Sequence, residues 1–186
     1  MTRPAPAQPW SVPLAIHDVP ETGHHVDLTA DERTRAAVAK LAGLRALPRL
    51  QASFDVTRRG SERLHVAGRV SATVGQTCVV TLEPIDNEVE EAIDLDFAPP
   101  PSASAAGDEG APPAVPADED APEPLINGVV DLGAVATEFL MLGLEPYPRK
   151  PGAVFEPPPQ AGDDSGHPFA PLAALKNKGQ GGAGGG

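Results

Sequence analysis

The chain carries 186 residues, a net charge of −12, 23 prolines, 19 glycines and one cysteine. A lone cysteine excludes an internal disulfide framework, and no apolar run approaches the roughly 18 residues that a membrane-spanning helix requires. The opening MTRPAPAQPW has no apolar core of signal-peptide length, so a cytoplasmic protein is expected.

Residues 1–9 are too poor in large apolar side chains to offset the entropy of ordering, and read as a disordered N-terminus. From Trp10 to Val19, Leu14 and Ile16 alternate with polar or small residues, which predicts an edge strand that tolerates Pro13. His24 and His25 read as loop surface. Thr29-Ala30-Asp31-Glu32 has the form of a capping box and predicts a helix over 30–42. Its apolar side is Ala37, Val38, Leu41 and Leu44, and Gly43 and Pro48 bound its end.

A hairpin follows, with Leu50, Ala52, Phe54 and Val56 on one face of its first strand and Leu64, Val66, Gly68 and Val70 on one face of its second. Arg59-Gly60-Ser61 supplies the turn. After Thr77-Cys78-Val79-Val80-Thr81-Leu82, in which Cys78 reads as a small apolar strand residue, another strand spans 86–97. There Val89, Glu91, Ile93, Leu95 and Phe97 alternate with Glu88, Glu90, Ala92, Asp94 and Asp96, giving an apolar face with Glu91 intruding and an anionic face.

Residues 98–124 are rich in Pro, Ala and acids and read as a flexible insert. Order resumes at Leu125, and Asp131 is the expected N-cap of a helix near 132–144. Apolar residues wrap most of that helix, so it is either deeply buried or docked on a partner as well as on its own sheet. Pro146 to Pro151 is a stiff, extended segment that either displays Tyr147, Arg149 and Lys150 or merely ends the helix. Residues 156–186 read as a disordered tail, with Phe169, Leu172 and Leu175 spaced for a short helix over 168–177. The expected fold is α+β: one domain over 10–155, a small antiparallel sheet of four to six strands covered by two helices.

Charge is segregated along these elements. Residues 70–148 contain no Lys or Arg and sixteen Asp or Glu, whereas the first helix and hairpin are basic. Two candidate surfaces result. Asp86, Glu88, Glu90, Asp94 and Asp96 form an acidic strand face suited to a basic protein partner. Arg58, Arg59, Arg63 and Arg69 on the hairpin are either contacts for RNA phosphates or another factor, or solvated surface charges. No interleaved surface aromatics of the kind that single-strand recognition favours accompany them.

The run from Thr77 to Ile85, the acidic strand after it, Val130-Asp131-Leu132-Gly133 opening an apolar helix, and the ending Leu144-Glu145-Pro146-Tyr147-Pro148 together resemble the YceD family. The extended ending through Gly152 resembles its alphaproteobacterial branch. Motif positions carried over are Cys78, Leu82, Glu83, Pro84, Asp131, Leu132, Pro146 and Pro148. The resemblance implies a role in accumulation of large-subunit ribosomal RNA, with a ribosomal protein or assembly factor as partner. One departure stands out: where family members often carry Cys-x-x-Cys, this chain has Cys78 and Thr81.

A single thiol and histidines at 17, 24, 25, 65 and 167 offer no zinc-ligand spacing, so no metal is expected. There is no nucleophile elbow, phosphate loop or paired-His motif, so no catalytic residues, cofactor, DNA or membrane are expected. The function expected is non-catalytic support of large-subunit assembly. The alternatives are a chaperone for a basic ribosomal protein that never meets RNA and, behind it, an RNA-processing or redox enzyme.

Overall fold

The computed structural model describes residues 8–100 and 122–155. Period-two alternation builds its centre. Strands β3 (Ala46–Arg58), β4 (Leu64–Thr77) and β5 (Pro84–Ala98) form an antiparallel meander. Register pairs Phe54 with Gly68 and Gly68 with Ile93, and likewise Val56 with Val66 and Val66 with Leu95. The apolar members of all three strands therefore share one face, where Leu50, Phe54, Val56, Leu64, Val66, Val70 and Ile93 are buried. The hairpin turn runs from Arg59 to Arg63, closed by the Arg59 N–H donating to the Arg63 carbonyl at 2.9 Å, with Gly60 at φ +78°.

Strand β2 (His24–Thr29) pairs antiparallel with β3 and is one end of the sheet. The expected loop at His24 and His25 is thus a strand. Only Val26 and Leu28 mark its alternation, too few to stand out before β3 is there to pair with. At the other end β6 (Glu123–Pro124) pairs parallel with β5 at Phe97 and Ala98. The expected insert 98–124 therefore begins and ends inside the sheet, and residues 101–121 lie outside the described residues.

Trp10 to Val19 is not one strand. Only β1 (Pro13–Ala15) is extended, followed by a 3-10 turn at Ile16–Asp18 whose Ile16 N–H donates to the Gly128 carbonyl. β1 pairs with β7 (Val129–Asp131) in a separate two-stranded sheet.

Helix α1 (Glu32–Leu41) is capped by Asp31, whose Oδ1 accepts the Thr34 N–H at 2.7 Å, rather than by the expected Thr29 box. Thr29 is consumed as the last residue of β2. Gly43, at φ +66°, closes the helix, while Pro48 falls within β3 at a register shift. Helix α2 (Leu132–Leu142) is capped by Asp131, as expected. A Cβ on Gly133 would lie 2.8 Å from the Trp10 carbonyl oxygen, so only glycine permits this approach. α1 packs on β3 and α2 on β4 and β5, and both join the same apolar core.

The compact unit closes at Ala153; beyond it only Val154 and Phe155 are described. Residues 1–7 and the expected helix at 168–177 lie outside the described residues.

Candidate functional site

Side chains in the other phase of the strands form the outer face of the sheet. The predicted acidic strand face lies here, and so do the arginines that neighbour it in register. Arg49 reaches Glu88 at 2.6 Å and donates to Ser71 at 2.9 Å. Arg69 meets Glu90 at 3.0 Å, and Arg59 meets Asp96 at 2.9 Å. His65 lies 3.2 Å from Asp96 and 3.7 Å from Asp94. The Thr73 hydroxyl, then Arg49, hold the Glu88 carboxyl below the usual carboxylate range. Across the sheet, the hydrogen bond that His25 Nδ1 makes to the Asp55 carboxylate at 2.7 Å raises the pKa of His25, with Asp27 assisting.

The acidic strand and part of the basic hairpin, separate in the sequence, therefore share one interleaved face. It remains acidic: Arg49, Arg59 and Arg69 stand against Asp27, Asp55, Asp86, Glu88, Glu90, Asp94 and Asp96. Asp86 is exposed and makes no ion pair among the described residues. The four hairpin arginines divide. Arg59 and Arg69 belong to this face, whereas Arg58 ends β3 half-buried in the inner phase and Arg63 is exposed in the turn. Neither of the latter pair makes an ion pair among the described residues. Arg49, the residue that ties β3 through β4 to β5, was not among the hairpin candidates, because its role exists only once the strand register is known.

The motif residues converge elsewhere. Cys78 is not in a strand; it opens a tight loop between β4 and β5 and is fully buried. Its N–H donates to the Glu83 carbonyl at 2.9 Å, and its carbonyl accepts the Leu82 N–H at 3.0 Å. Its Sγ accepts the backbone N–H groups of Thr81 at 3.4 Å and Lys150 at 3.3 Å. The Lys150 N–H first, then the Thr81 side chain and N–H, pull the thiol pKa down to about 6. Thr81 thus serves the sulfur through both its side chain and its backbone.

The Pro146 to Pro151 segment is folded against this loop. Val79 N–H donates to the Pro148 carbonyl at 2.9 Å, Lys150 pairs with Glu83 at 2.9 Å, and Gln76 donates to the Glu145 carbonyl at 3.0 Å. Pro148 is buried, while Tyr147 is displayed. Leu82 sits at φ +59°, a left-handed conformation that disfavours leucine, with 76% of its surface exposed.

Asp131 has a structural role. Its carboxylate accepts from Ala134 N–H at 3.1 Å, Val12 N–H at 2.8 Å and Ser11 hydroxyl at 2.6 Å, so one side chain caps α2 and holds the N-terminal segment. Leu132 is buried beside it. α2 is buried on most sides, leaving Met141 and Leu142 exposed beside Leu41 around an open groove of about 530 Å³. No helix among the described residues is long and apolar enough to cross a membrane.

Comparison with curated proteins and with solved structures returned no match. A family model described as large ribosomal RNA subunit accumulation protein YceD matches residues 66–176. The matched span takes in most of β4, the Cys78 loop, β5, Asp131 with α2, and the Pro146 to Lys150 segment. With more than half of its length matched, the chain belongs to the YceD family.

Proposed function

We infer that this protein supports accumulation of the large ribosomal RNA subunit as a cytoplasmic, non-catalytic accessory factor of subunit assembly. It does so by holding a basic ribosomal protein or assembly factor on the outer face of its sheet. The observation that carries this reading is the surplus of carboxylates on that face after its arginines are paired. A net acidic field draws cationic partners and repels phosphate.

The same pairing weighs against the full hairpin set as an RNA contact. Arg59 and Arg69 are held by Asp96 and Glu90, so phosphate approaching them would meet carboxylates as well. The hairpin end, with Arg58 and Arg63, is the remaining basic element there. A chaperone that keeps a cationic ribosomal protein soluble without meeting RNA fits the acidic face equally well.

Pull-down from cells tests the face. Changing Glu88, Glu90, Asp94 and Asp96 to Lys is expected to reduce partner recovery at least tenfold, and unchanged recovery would overturn the reading. Arg58→Ser with Arg63→Ser separates the two versions. Loss of association with pre-ribosomal particles supports RNA contact, and retention supports the chaperone.

A further inference from the structure

Among the described residues, the outer edge of β5 is open along most of its length. Two backbone bonds set its phase: Cys78 N–H donates to the Glu83 carbonyl at 2.9 Å, and Leu125 N–H to the Ala98 carbonyl at 2.7 Å. With Thr77 paired to Pro84 and the register continuous to Leu64 and Phe97, odd-numbered residues of β5 direct their backbone groups to β4. Even-numbered residues direct theirs away. Among the described residues that side is paired only by β6, at Phe97 and Ala98. The N–H and C=O groups of Asp86, Glu88, Glu90, Ala92 and Asp94 therefore form a row unpaired among the described residues, about 27 Å long at roughly 3.4 Å per residue.

The side chains of these same residues lie on the outer face, and all but Ala92 are carboxylates. Open edges invite another strand unless charge guards them. Here the guard has one sign. A second copy of β5 laid against the first would set carboxylate opposite carboxylate, which destabilises cross-strand pairing. A strand with lysine or arginine at alternate positions would instead meet Asp86, which makes no ion pair among the described residues, and Glu90, whose Oε2 is free of the Arg69 contact. Backbone pairing and charge thus select the same occupant.

We propose that β5 binds an extended, lysine- or arginine-bearing segment of a partner protein as an added strand along this edge. The proposal rests on the outer face being the partner-binding face, and adds how the partner is held.

The test uses the full chain and a synthetic peptide of about eleven residues alternating lysine with threonine, enough to cover the row. The control has the same composition with its lysines in one block. The alternating peptide is expected to slow amide exchange at least tenfold at Glu88, Glu90, Ala92 and Asp94. It is also expected to bind at least tenfold more tightly than the block peptide. Ala92→Pro removes one free-edge donor and no charge, leaves the β4 ladder untouched, and is expected to weaken binding at least tenfold. Should that variant fail to fold, an alternating peptide with N-methylated backbone provides the same break on the ligand, with the same loss expected.

Equal binding of the two peptides, or binding without protection of the even-numbered amides, overturns the proposal. So does the same protection arising from self-association or from an RNA oligonucleotide. The face and edge readings fail separately. If charge reversal abolishes partner recovery from cells while Ala92→Pro leaves it unchanged, the edge is wrong and the face stands. If neither changes recovery, both are wrong.

Discussion

The outer face and the Cys78 loop are both polar constructions on β4 and β5, yet they are held together differently. The face is tied by exposed side chains meeting across strands, as with Arg49 and Glu88 or Arg69 and Glu90. The loop is tied by backbone donors aimed at a buried sulfur and at backbone carbonyls. Exposed ion pairs contribute little to stability and exchange partners readily, so the face can change hands. Part-buried donors aimed at a buried sulfur lose that acceptor at a cost. Several of the motif residues therefore serve the architecture, whereas the charges of the outer face are held by exposed ion pairs.

The sharpest way to break this contrast is at the sulfur. Cys78→Val strands the N–H groups of Thr81 and Lys150 and is expected to cost about 2–4 kcal/mol in urea denaturation. A loss well below this would mean the loop is not held through the sulfur. The thiol also gives the loop a pH signature. Because the fold lowers its pKa to about 6, below the unfolded value, its contribution is complete above the ordinary thiol pKa and is lost as pH falls through about 6. Stability should rise across that window in the native chain, and Cys78→Ser should flatten the rise.

Asp131→Ala comes next, at about 2 kcal/mol, since it removes a helix cap together with the ties to Ser11 and Val12. On the outer face the effects should shrink. Arg49→Ala is expected to cost less than about 1 kcal/mol, and a larger loss would erase the distinction between the two regions. His25→Gln should be smallest. Asp55 raises the folded pKa of His25, so its contribution is present below the unfolded pKa and lost as pH climbs through the folded one. The variant should lack that alkaline decline when melting temperature is followed against pH.

What the sequence disclosed depended on how locally each feature is encoded. The β3–β4 hairpin was legible because Leu50 to Val56 and Leu64 to Val70 alternate without interruption. The α2 cap was legible because Asp131 stands directly before an apolar run. The Cys78 loop was not: Cys78-Val79-Val80 has strand composition, and its reversal places Leu82, not glycine, at positive φ. Both candidate charge sets were visible, but their meeting was not. It depends on register linking residues 39 apart, as with Arg49 and Glu88, and no local pattern encodes that distance.

The join between the N-terminal segment and residues 129–133 also predicts an order of events. β1 pairs with β7, Asp131 accepts from Ser11 at a separation of 120 residues, and Leu132 N–H donates to the Val12 carbonyl. The meander of β3, β4 and β5 closes between neighbours and needs none of this, so it is expected to form first, with the N-terminal segment settling once residues 129–133 have arrived. Trp10, the only tryptophan, is buried in that segment. Its fluorescence is thus a built-in clock for this join, and in stopped-flow refolding it should lag the far-ultraviolet signal of the sheet.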